Sequence, residues 1–380
     1  MTTNFDADVA GYKTYGKILK PIVLRDTQFR NRLWVPPMCQ YSSPNGHPTA
    51  WHLQHYTTLA LGAGCVIVEA TAISKSARVT PQDLVLDKHA ELSQFINLAK
   101  RISDQGAIPG IQLCHGGRKA SRTAPWDGDR ALPSSAGGWD LISPSAIAFG
   151  KEYFEPREMI EEDIELVVDD FVNSAKLAQD CGFRLLEIHA AHGRLVHSFI
   201  SPISNNRRDQ YGANQEGRFR LPLRLAKAIR SAVGDEIVIG FRLSCVDWMP
   251  DGIRIEDSIA LSRLLKKEGI DFIDCSSGGI VRNLKKDTSS GYQVGFASDI
   301  KLHADIATCA VGEIISLAHA NQIVESNQAD IVMMGRRLMM DPFYPLRYAA
   351  DNEHWELIPN SYKRAAYRLR QYDPEHIPEL

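Results

Sequence analysis

The sequence predicts a single-domain (β/α)8 TIM barrel, and three observations support this fold class. Eight short apolar runs alternate with longer amphipathic stretches along the 380 residues, a pattern typical of parallel βαβ units. Several amphipathic stretches end at a glycine, for example Gly182 and Gly269, as helices often do. Eight such units in a chain of this length favour a closed barrel over a doubly wound sheet.

The predicted strands are short and rich in aliphatic residues. They lie at Leu33–Pro36, Cys65–Glu69, Ile108–Leu113, Leu185–His189, Ile237–Leu243, Phe272–Cys275, Thr308–Val311 and Ile331–Met334. The helices predicted between them include Glu91–Asp104, Glu162–Gln179, Arg218–Val233, Ile255–Glu268 and Glu313–Glu325. We expect residues 1–380 to form one domain, because no stretch resembles an interdomain linker.

A segment after the third predicted strand, about 121–156, interrupts this alternation. It is rich in Pro, Gly, Ser and Trp and has no periodicity. A loop of this length in a compact barrel is usually functional, often as a lid or a subunit contact. The alternative is a disordered surface insertion, although Trp126, Trp139 and Phe149 argue against it.

The composition excludes several classes of protein. A net charge of −3 gives no electrostatic reason to expect nucleic acid or an anionic membrane as a partner. No apolar run reaches the roughly 18–20 residues of a membrane helix, and the start of the chain lacks the pattern of a signal peptide. The seven cysteines are odd in number and never form Cys-x-x-Cys, which argues against disulfides and structural zinc. We therefore expect a cytoplasmic protein without a metal.

Polar and reactive residues follow the predicted strands, at the barrel face where such enzymes carry their chemistry. The first strand is followed by Pro-Pro-Met-Cys-Gln-Tyr at 36–41, and the third by residues 112–119. The fourth ends in His189-Ala-Ala-His192, and the fifth contains Arg242. A cation at that position requires an anionic or electron-rich partner, because an unpaired buried charge is costly.

The ends of strands 7 and 8 predict a phosphate site. Gly312 and Gly335-Arg336 stand there, where glycines allow backbone amides to approach an anion and a cation neutralises its charge. A tight turn between strand and helix is the alternative for Gly335-Arg336. The chain has no Gly-x-Gly-x-x-Gly after a strand and no Walker lysine loop, so a nicotinamide would have to use a site that also holds another group.

Three interpretations of His189 and His192 are open from the residues alone. They could be half of a metal site, although further ligands would be needed. They could be a structural pair at the start of a helix. They could also be two neutral hydrogen-bond donors directed at a developing oxyanion.

Taken together, these motifs resemble those of the old yellow enzyme family, in its thermophilic-like branch, from about Leu19 to the C-terminus. The motifs are Pro-Pro-Met-Cys-Gln-Tyr (36–41), Ile-Gln-Leu-Cys-His-Gly-Gly-Arg-Lys (111–119), Glu-Ile-His-Ala-Ala-His-Gly (187–193), Ser-Pro-Ile-Ser-Asn (201–205), Asp-Cys-Ser-Ser-Gly-Gly (274–279), Gly-Tyr-Gln-Val (291–294) and Met-Gly-Arg-Arg (334–337).

The resemblance implies one noncovalent FMN across the barrel mouth. The residues implied to bind it are Pro36, Pro37, Met38 and Cys39 along the ring, Ala70 through its backbone, Gln112 at the pyrimidine edge, His189, Arg242 beside N1 and C2=O, and Ser277, Gly278, Gly312, Gly335 and Arg336 at the phosphate. Cys39 is also implied to tune the redox potential and to contact substrate. A small buried core residue is the alternative for Cys39.

The resemblance further implies two half-reactions at one site. NAD(P)H gives hydride to FMN and leaves, and an activated alkene such as an α,β-unsaturated carbonyl compound then takes its place. His189 and His192 would hydrogen-bond the carbonyl oxygen of this substrate. Tyr41 would line the same pocket as donor or wall, and Tyr292 is a further candidate contact.

Arg194 departs from the family pattern, in which a tyrosine that protonates the substrate usually stands at this position. Arginine is effectively a permanent cation and a poor general acid. Another donor, Tyr41 or water, could complete the reduction, or Arg194 could bind an anionic group of the substrate. The flavin could instead relay hydride in a redox-neutral isomerisation, or Arg194 could simply point to solvent.

The C-terminal tail, about 355–380, resembles the tail of the same branch. Its motif is Pro-Asn-Ser-Tyr-Lys-Arg at 359–364. The resemblance implies a homodimer or homotetramer in which Arg364 reaches the active site of the neighbouring subunit. A solvated terminal helix is the alternative.

Overall fold

The computed structural model describes residues 16–282, 284 and 288–370. The start of the chain, where we expected no signal peptide, lies outside the described residues. So do the last ten residues of the predicted tail.

Eight parallel strands close into a barrel, which confirms the predicted fold class. Each strand pairs with its neighbours in chain order, and the last pairs with the first. The strands are β1 (Leu33–Val35), β2 (Cys65–Ala72), β3 (Ile108–Cys114), β4 (Leu185–Ala190), β5 (Val238–Ser244), β6 (Phe272–Ser276), β7 (Ala307–Ala310) and β8 (Ile331–Met333).

The barrel interior is a packed apolar core that begins at the amino ends of the strands. A hairpin of Ile22–Leu24 and Thr27–Phe29 closes that end. Phe29 packs on Trp34 with ring centroids 4.5 Å apart, and Trp34 meets the edge of Phe272 at 5.5 Å. Because this end is filled, the open end lies at the carboxyl ends of the strands.

Helices surround the barrel and bury a second apolar layer against it. They are α1 (Ala50–Ala60), α2 (Leu92–Asp104), α3 (Glu161–Asp180), α4 (Leu195–Ile200), α5 (Gln215–Val233), α6 (Ile255–Lys267), α7 (Val294–Ala304), α8 (Leu317–Glu325), α9 (Arg336–Met340), α10 (Tyr344–Asp351) and α11 (Asn360–Arg370). The five predicted helices are present. The one predicted from Glu313 begins only at Leu317, because Gly312 and Glu313 both have a positive φ and Ser316 caps the helix.

The insertion after β3 folds across the barrel mouth. It contains two short 3-10 turns and a strand, Ile142–Ser143, paired with Arg157–Glu158. Within the insertion, Arg122 forms an ion pair with Asp129 at 2.6 Å. The edge of the Trp126 ring meets the ring of Tyr41 at 5.4 Å, so the insertion reaches the residues that follow β1.

No helix in the described part of the chain combines the length and the apolar character needed to cross a membrane. All seven cysteines lie among the described residues, and each is a free thiol.

Candidate active site

The loop after β1 is held from below by Glu69. One oxygen of Glu69 accepts the backbone N–H of Gln40 at 2.6 Å, and the other lies 2.9 Å from Nε2 of His52, with both side chains buried. A β-bulge between Val68 and Ala70 shifts the register of β2 at Glu69. This anchor positions the loop from Pro36 to Tyr41. Glu69 was predicted only as the end of a strand. The contact of His52 with Glu69 was not predicted, because helix α1 was not predicted.

Cys39 and Tyr41 lie on this loop and keep their protons. Burial raises the pKa of the Cys39 thiol and of the Tyr41 phenol well above their usual values. The backbone of Tyr41 has a φ of 51°, which costs a non-glycine residue free energy. Tyr41 is therefore a protonated phenol in a fixed backbone conformation at the barrel mouth.

His189 and His192 meet at the carboxyl end of β4. Their ring centroids are 5.3 Å apart and their planes are nearly perpendicular. Burial lowers the pKa of both imidazoles well below the usual value, and Arg242 adds to this for both, whereas Arg194 adds to it for His189. The two rings are therefore neutral at physiological pH.

The hydrogen bonds of the pair indicate where its protons lie. Nδ1 of His189 accepts the backbone N–H of Ala191 at 3.4 Å, which assigns the proton to Nε2. Nε2 of His192 lies 2.7 Å from the hydroxyl of Ser276. His189 can therefore donate a hydrogen bond into the barrel mouth without carrying a fixed charge.

Several hydrogen bonds fix the turn at His192 and stabilise its φ of 57°. Its backbone N–H donates to Ser244 Oγ at 2.9 Å, and its carbonyl accepts from Lys119 Nζ at 2.8 Å. The N–H of Gly193 donates to Nδ1 of His197 at 2.8 Å. A Cβ on Gly193 would lie 2.4 Å from the carbonyl oxygen of Gly279, so this position requires glycine.

Arg194 immediately precedes α4 and its charge acts on the same group of residues. It lowers the pKa values of Cys39 and Tyr41 against the dominant effect of burial, and it is the second cause, after burial, of the low pKa of His189. Nε of Arg194 is buried and has no hydrogen-bond partner. The structure thus places Arg194 beside the pair of histidines.

A cavity of about 200 Å³ lies at the ends of β7, β8 and β1, where FMN is expected. Seven of the predicted cofactor residues line it: Pro36, Pro37, Met38, Arg242, Gly312, Gly335 and Arg336.

The residues of this cavity fit a flavin nucleotide. A Cβ on Gly335 would lie 3.1 Å from the sulfur of Met38, so the chain passes close to the wall expected to hold the ring. Arg242 Nε pairs with Asp274 at 3.0 Å, and its side chain also lines the cavity. Two glycines and two arginines at strand ends are the groups that a phosphate and an electron-rich ring edge require.

Ala70 and Gln112, two further predicted cofactor residues, pair across β2 and β3. The amide nitrogen of Gln112 donates to Glu187 at 2.6 Å. Burial and the neighbouring Asp274 raise the pKa of Glu187 above its usual value. The sequence analysis did not assign Glu187, although its motif contains this residue.

The predicted phosphate residues after β6 connect to the end of β7. Ser277 Oγ donates to Gln293 at 2.6 Å, and Gln293 donates to the carbonyl of Val311 at 2.9 Å. Gly278 follows Ser277 with a φ of 68°. Tyr292 lies against Gly312, since a Cβ there would be 3.0 Å from its ring. The structure therefore places Tyr292 among the predicted phosphate residues, and its contact with substrate stays a prediction.

Arg336 forms an ion pair with Glu313, a partner that the sequence analysis did not consider. The side chain of Arg336 is 79% exposed. A carboxylate thus stands beside the cation predicted to meet the phosphate.

Arg364 lies on α11 and is exposed. The helix packs on its own chain, where Tyr362 meets Phe343 with ring centroids 6.0 Å apart. The structure brings Arg364 to none of the site residues described above, and its place in a neighbouring subunit stays a prediction.

The chain is similar to a known protein family and to several known proteins. The model of the NADH:flavin oxidoreductase / NADH oxidase family matches residues 17–354. The chain is 37% identical over 352 residues to an NADPH dehydrogenase of Bacillus subtilis (strain 168). This match covers 92% of this chain and 98% of that protein. It is also 37% identical over 339 residues to an NADPH dehydrogenase of Geobacillus sp. (strain WCH70), covering 88% and 94%.

Solved structures share the fold. Morphinone reductase matches with a TM-score of 0.75 at 22% identity, covering 90% of this chain and 91% of that chain. The old yellow enzyme homologue of Zymomonas mobilis matches with a TM-score of 0.74 at 24% identity, covering 88% and 93%.

Proposed function

This chain belongs to the NADH:flavin oxidoreductase / NADH oxidase family, and from that premise we propose that it reduces the C=C bond of activated alkenes. It is an NAD(P)H:flavin oxidoreductase of the old yellow enzyme type and uses FMN. The proposed acceptors are α,β-unsaturated carbonyl compounds and related alkenes. The observation that supports this activity is the pair of neutral histidines at the end of β4, of which His189 is buried and His192 half-buried.

FMN would be held by the loop after β1 and by the glycines and arginines of the cavity. When bound, it accepts hydride from NAD(P)H and passes it on. Pro36 to Cys39 would lie along its ring, and Arg242 would face its electron-rich edge. Gly312, Gly335 and Arg336 would hold the phosphate.

His189 and His192 would bind the carbonyl oxygen of the alkene. A neutral imidazole N–H donates to this oxygen more strongly as negative charge develops on it, so the pair stabilises the transition state more than the bound substrate. The fastened turn at His192 holds its ring before substrate arrives. Tyr41, which stays protonated, would supply the proton or a hydrogen bond from the opposite side of the mouth.

A second candidate is a redox-neutral isomerisation, in which hydride returns to the substrate it came from. The observation that favours it is Arg194, which cannot act as the proton donor in the position where the family usually has tyrosine. The two activities differ in stoichiometry. A reductase consumes one NAD(P)H for each product, whereas an isomerase forms product without net consumption.

The test compares wild type with a His189→Ala/His192→Ala double variant, using cyclohexenone and NADPH without oxygen. We expect NADPH to be consumed in step with cyclohexanone formation by wild type. The double variant should retain flavin and lose turnover by about a hundredfold or more, because one oxyanion donor alone is typically worth about 10²–10³ in rate. A His89→Ala variant, altered at an exposed histidine, is the matched control. Unchanged enone turnover in the double variant would exclude the proposed role of the pair.

The seven free thiols support a reducing compartment such as the cytoplasm.

A further inference from the structure

We propose that Arg194 is the binding site for a carboxylate on the substrate, so that the natural acceptor is an anionic enone. This inference rests on the proposed reduction of activated alkenes, whose carbonyl group would occupy His189 and His192. The feature that supports it is the guanidinium of Arg194, which has no partner among the described residues.

The main chain of Arg194 is firmly placed. Its N–H donates to the carbonyl of Ala191 at 3.1 Å, and its own carbonyl accepts from Ser198 at 2.8 Å. The charge of its side chain acts on Cys39, Tyr41 and His189. Across the described ranges, the guanidinium has neither a hydrogen bond nor an ion pair, while its Nε is buried.

The other cations of this region are already occupied. Lys119 donates to the carbonyls of His192 at 2.8 Å and Gly279 at 3.2 Å. Arg118 donates to the carbonyl of Ile280 at 2.6 Å. These two side chains are therefore bonded to backbone carbonyls and maintain the loops around the mouth.

Arg122, the next cation along the chain, is also paired. It forms an ion pair with Asp129 within the insertion. Its guanidinium lies 3.8 Å from the centre of the Tyr153 ring. Of these four cations after β3 and β4, Arg194 alone lacks a partner among the residues that the structure describes.

The nearby acids Asp83 and Glu69 form no ion pair with Arg194, although its charge acts on Asp83. One oxygen of Asp83 accepts the N–H groups of Val79 and Thr80 at 2.7 and 3.1 Å, and the other accepts the hydroxyl of Thr80 at 2.7 Å. Glu69 is held by His52 and Gln40. The internal anions thus bind the backbone and the loop after β1, and neither of them accepts a hydrogen bond from the guanidinium of Arg194.

A partly buried charge without a partner is costly, and an external anion would recover that cost. The planar fork of arginine matches a carboxylate through two parallel hydrogen bonds. A substrate that places its carbonyl on the histidines and its carboxylate on Arg194 would be bound at two points. Two-point binding would also fix which carbon faces the hydride donor.

The experiment uses the FMN-loaded enzyme and a matched pair of acceptors, a cyclohexenone that carries a ring carboxylate and its methyl ester. For wild type we expect kcat/KM to favour the acid by about ten- to a hundredfold, the range of a charge-assisted hydrogen bond. Arg194→Met should remove most of this preference, mainly through KM for the acid. Arg194→Lys should retain part of it, because charge remains while the fork is lost. Arg101→Met, at an exposed arginine on α2, should keep the wild-type ratio.

Two outcomes separate this inference from the proposed function. If acid and ester are reduced with the same ratio in wild type and Arg194→Met, the carboxylate site is excluded while alkene reduction stands. If neither is reduced although NADPH reduces the flavin, alkene reduction is excluded. Calorimetric titration with 4-hydroxybenzoate and its methyl ester then still tests the site. Preference for the acid that disappears in Arg194→Met supports it, and equal binding overturns it.

Discussion

Nε2 of His197 lies 3.1 Å from Oδ1 of Asp247, and both side chains are fully buried below the histidine turn. The other ring nitrogen of His197 accepts the N–H of Gly193 at 2.8 Å. Asp247 Oδ2 accepts from Ser201 at 2.6 Å and from the N–H of Ile253 at 2.9 Å. Burial alone would raise the pKa of Asp247, but its interaction with His197 and its hydrogen bonds from Ser201 and Ile253 outweigh burial and leave this pKa low. The pair therefore connects the turn at His192 to the loop after β5.

Breaking this buried pair should destabilise the fold more than a typical core substitution. We expect His197→Ala to lower the free energy of unfolding by about 3–5 kcal/mol, because it leaves Asp247 as an unpaired buried charge. Replacing both residues should cost less than the sum of the single losses. Urea denaturation of His197→Ala, Asp247→Ala and the double variant measures this coupling. Strictly additive losses would show that the two side chains do not act as a pair.

The low pKa values of His189 and His192 predict how stability depends on pH. The unfolded chain protonates both residues near pH ~6.5, whereas the folded protein does not. As pH falls below that value the unfolded state binds more protons, so the free energy of unfolding falls by up to about 1.4 kcal/mol per pH unit for each histidine. His189→Gln/His192→Gln should show a shallower loss between pH ~6.5 and ~5 in urea denaturation. An equally steep loss in this variant would contradict the low pKa values.

The ion pair of Arg336 with Glu313 predicts competition for the phosphate of FMN. Arg336→Gln should weaken FMN binding by about tenfold or more, since a hydrogen bond to a charged group contributes about 1.5–3 kcal/mol. Glu313→Gln should tighten it several-fold, because the cation loses its internal partner. Titration of the apoprotein, followed by quenching of flavin fluorescence, measures both effects. Riboflavin, which lacks the phosphate, is the control and should respond to neither change. Equal effects on riboflavin would place the pair outside the phosphate site.

Much of the barrel could be predicted because its signal is local. Strands buried on both faces are apolar without interruption, as in β8. Helix α1 was missed because its buried face includes His52, whose partner Glu69 comes from another element. The same limit applies to the site. His189, His192 and Arg194 stand in one motif, whereas Lys119 and Ser244 reach His192 across 73 and 52 positions of the chain, which no local pattern reveals.

Tyr41 should supply the proton that Arg194 cannot. Tyr41→Phe keeps the ring that packs on Trp126 but removes the hydroxyl, so reduction of cyclohexenone should slow by about a hundredfold, within the range of general acid catalysis. Reduction of a quinone should slow much less, because its oxygens are protonated from solvent. The measurement is the ratio of the two kcat values in wild type and variant. An unchanged ratio would identify water, not Tyr41, as the donor.

The exposed Arg364 on α11 predicts an active site shared between subunits. Its side chain is exposed, and we expect it to serve a site in another copy of the chain. We expect a homodimer or homotetramer by sedimentation, and a lower enone kcat/KM for Arg364→Ala without a change in flavin content.

A mixing experiment shows whether each active site is shared between two subunits or formed by one subunit alone. Subunits that carry Arg364→Ala and subunits that carry His189→Ala/His192→Ala should regain activity when they are dissociated and reassembled together. One site of each hybrid then has its histidines from one chain and Arg364 from the other. Exposed Arg368→Ala in place of Arg364→Ala is the matched control and should show no initial loss. If the mixture is no more active than its separate components, or the protein is a fully active monomer, Arg364 has no role in a neighbouring site.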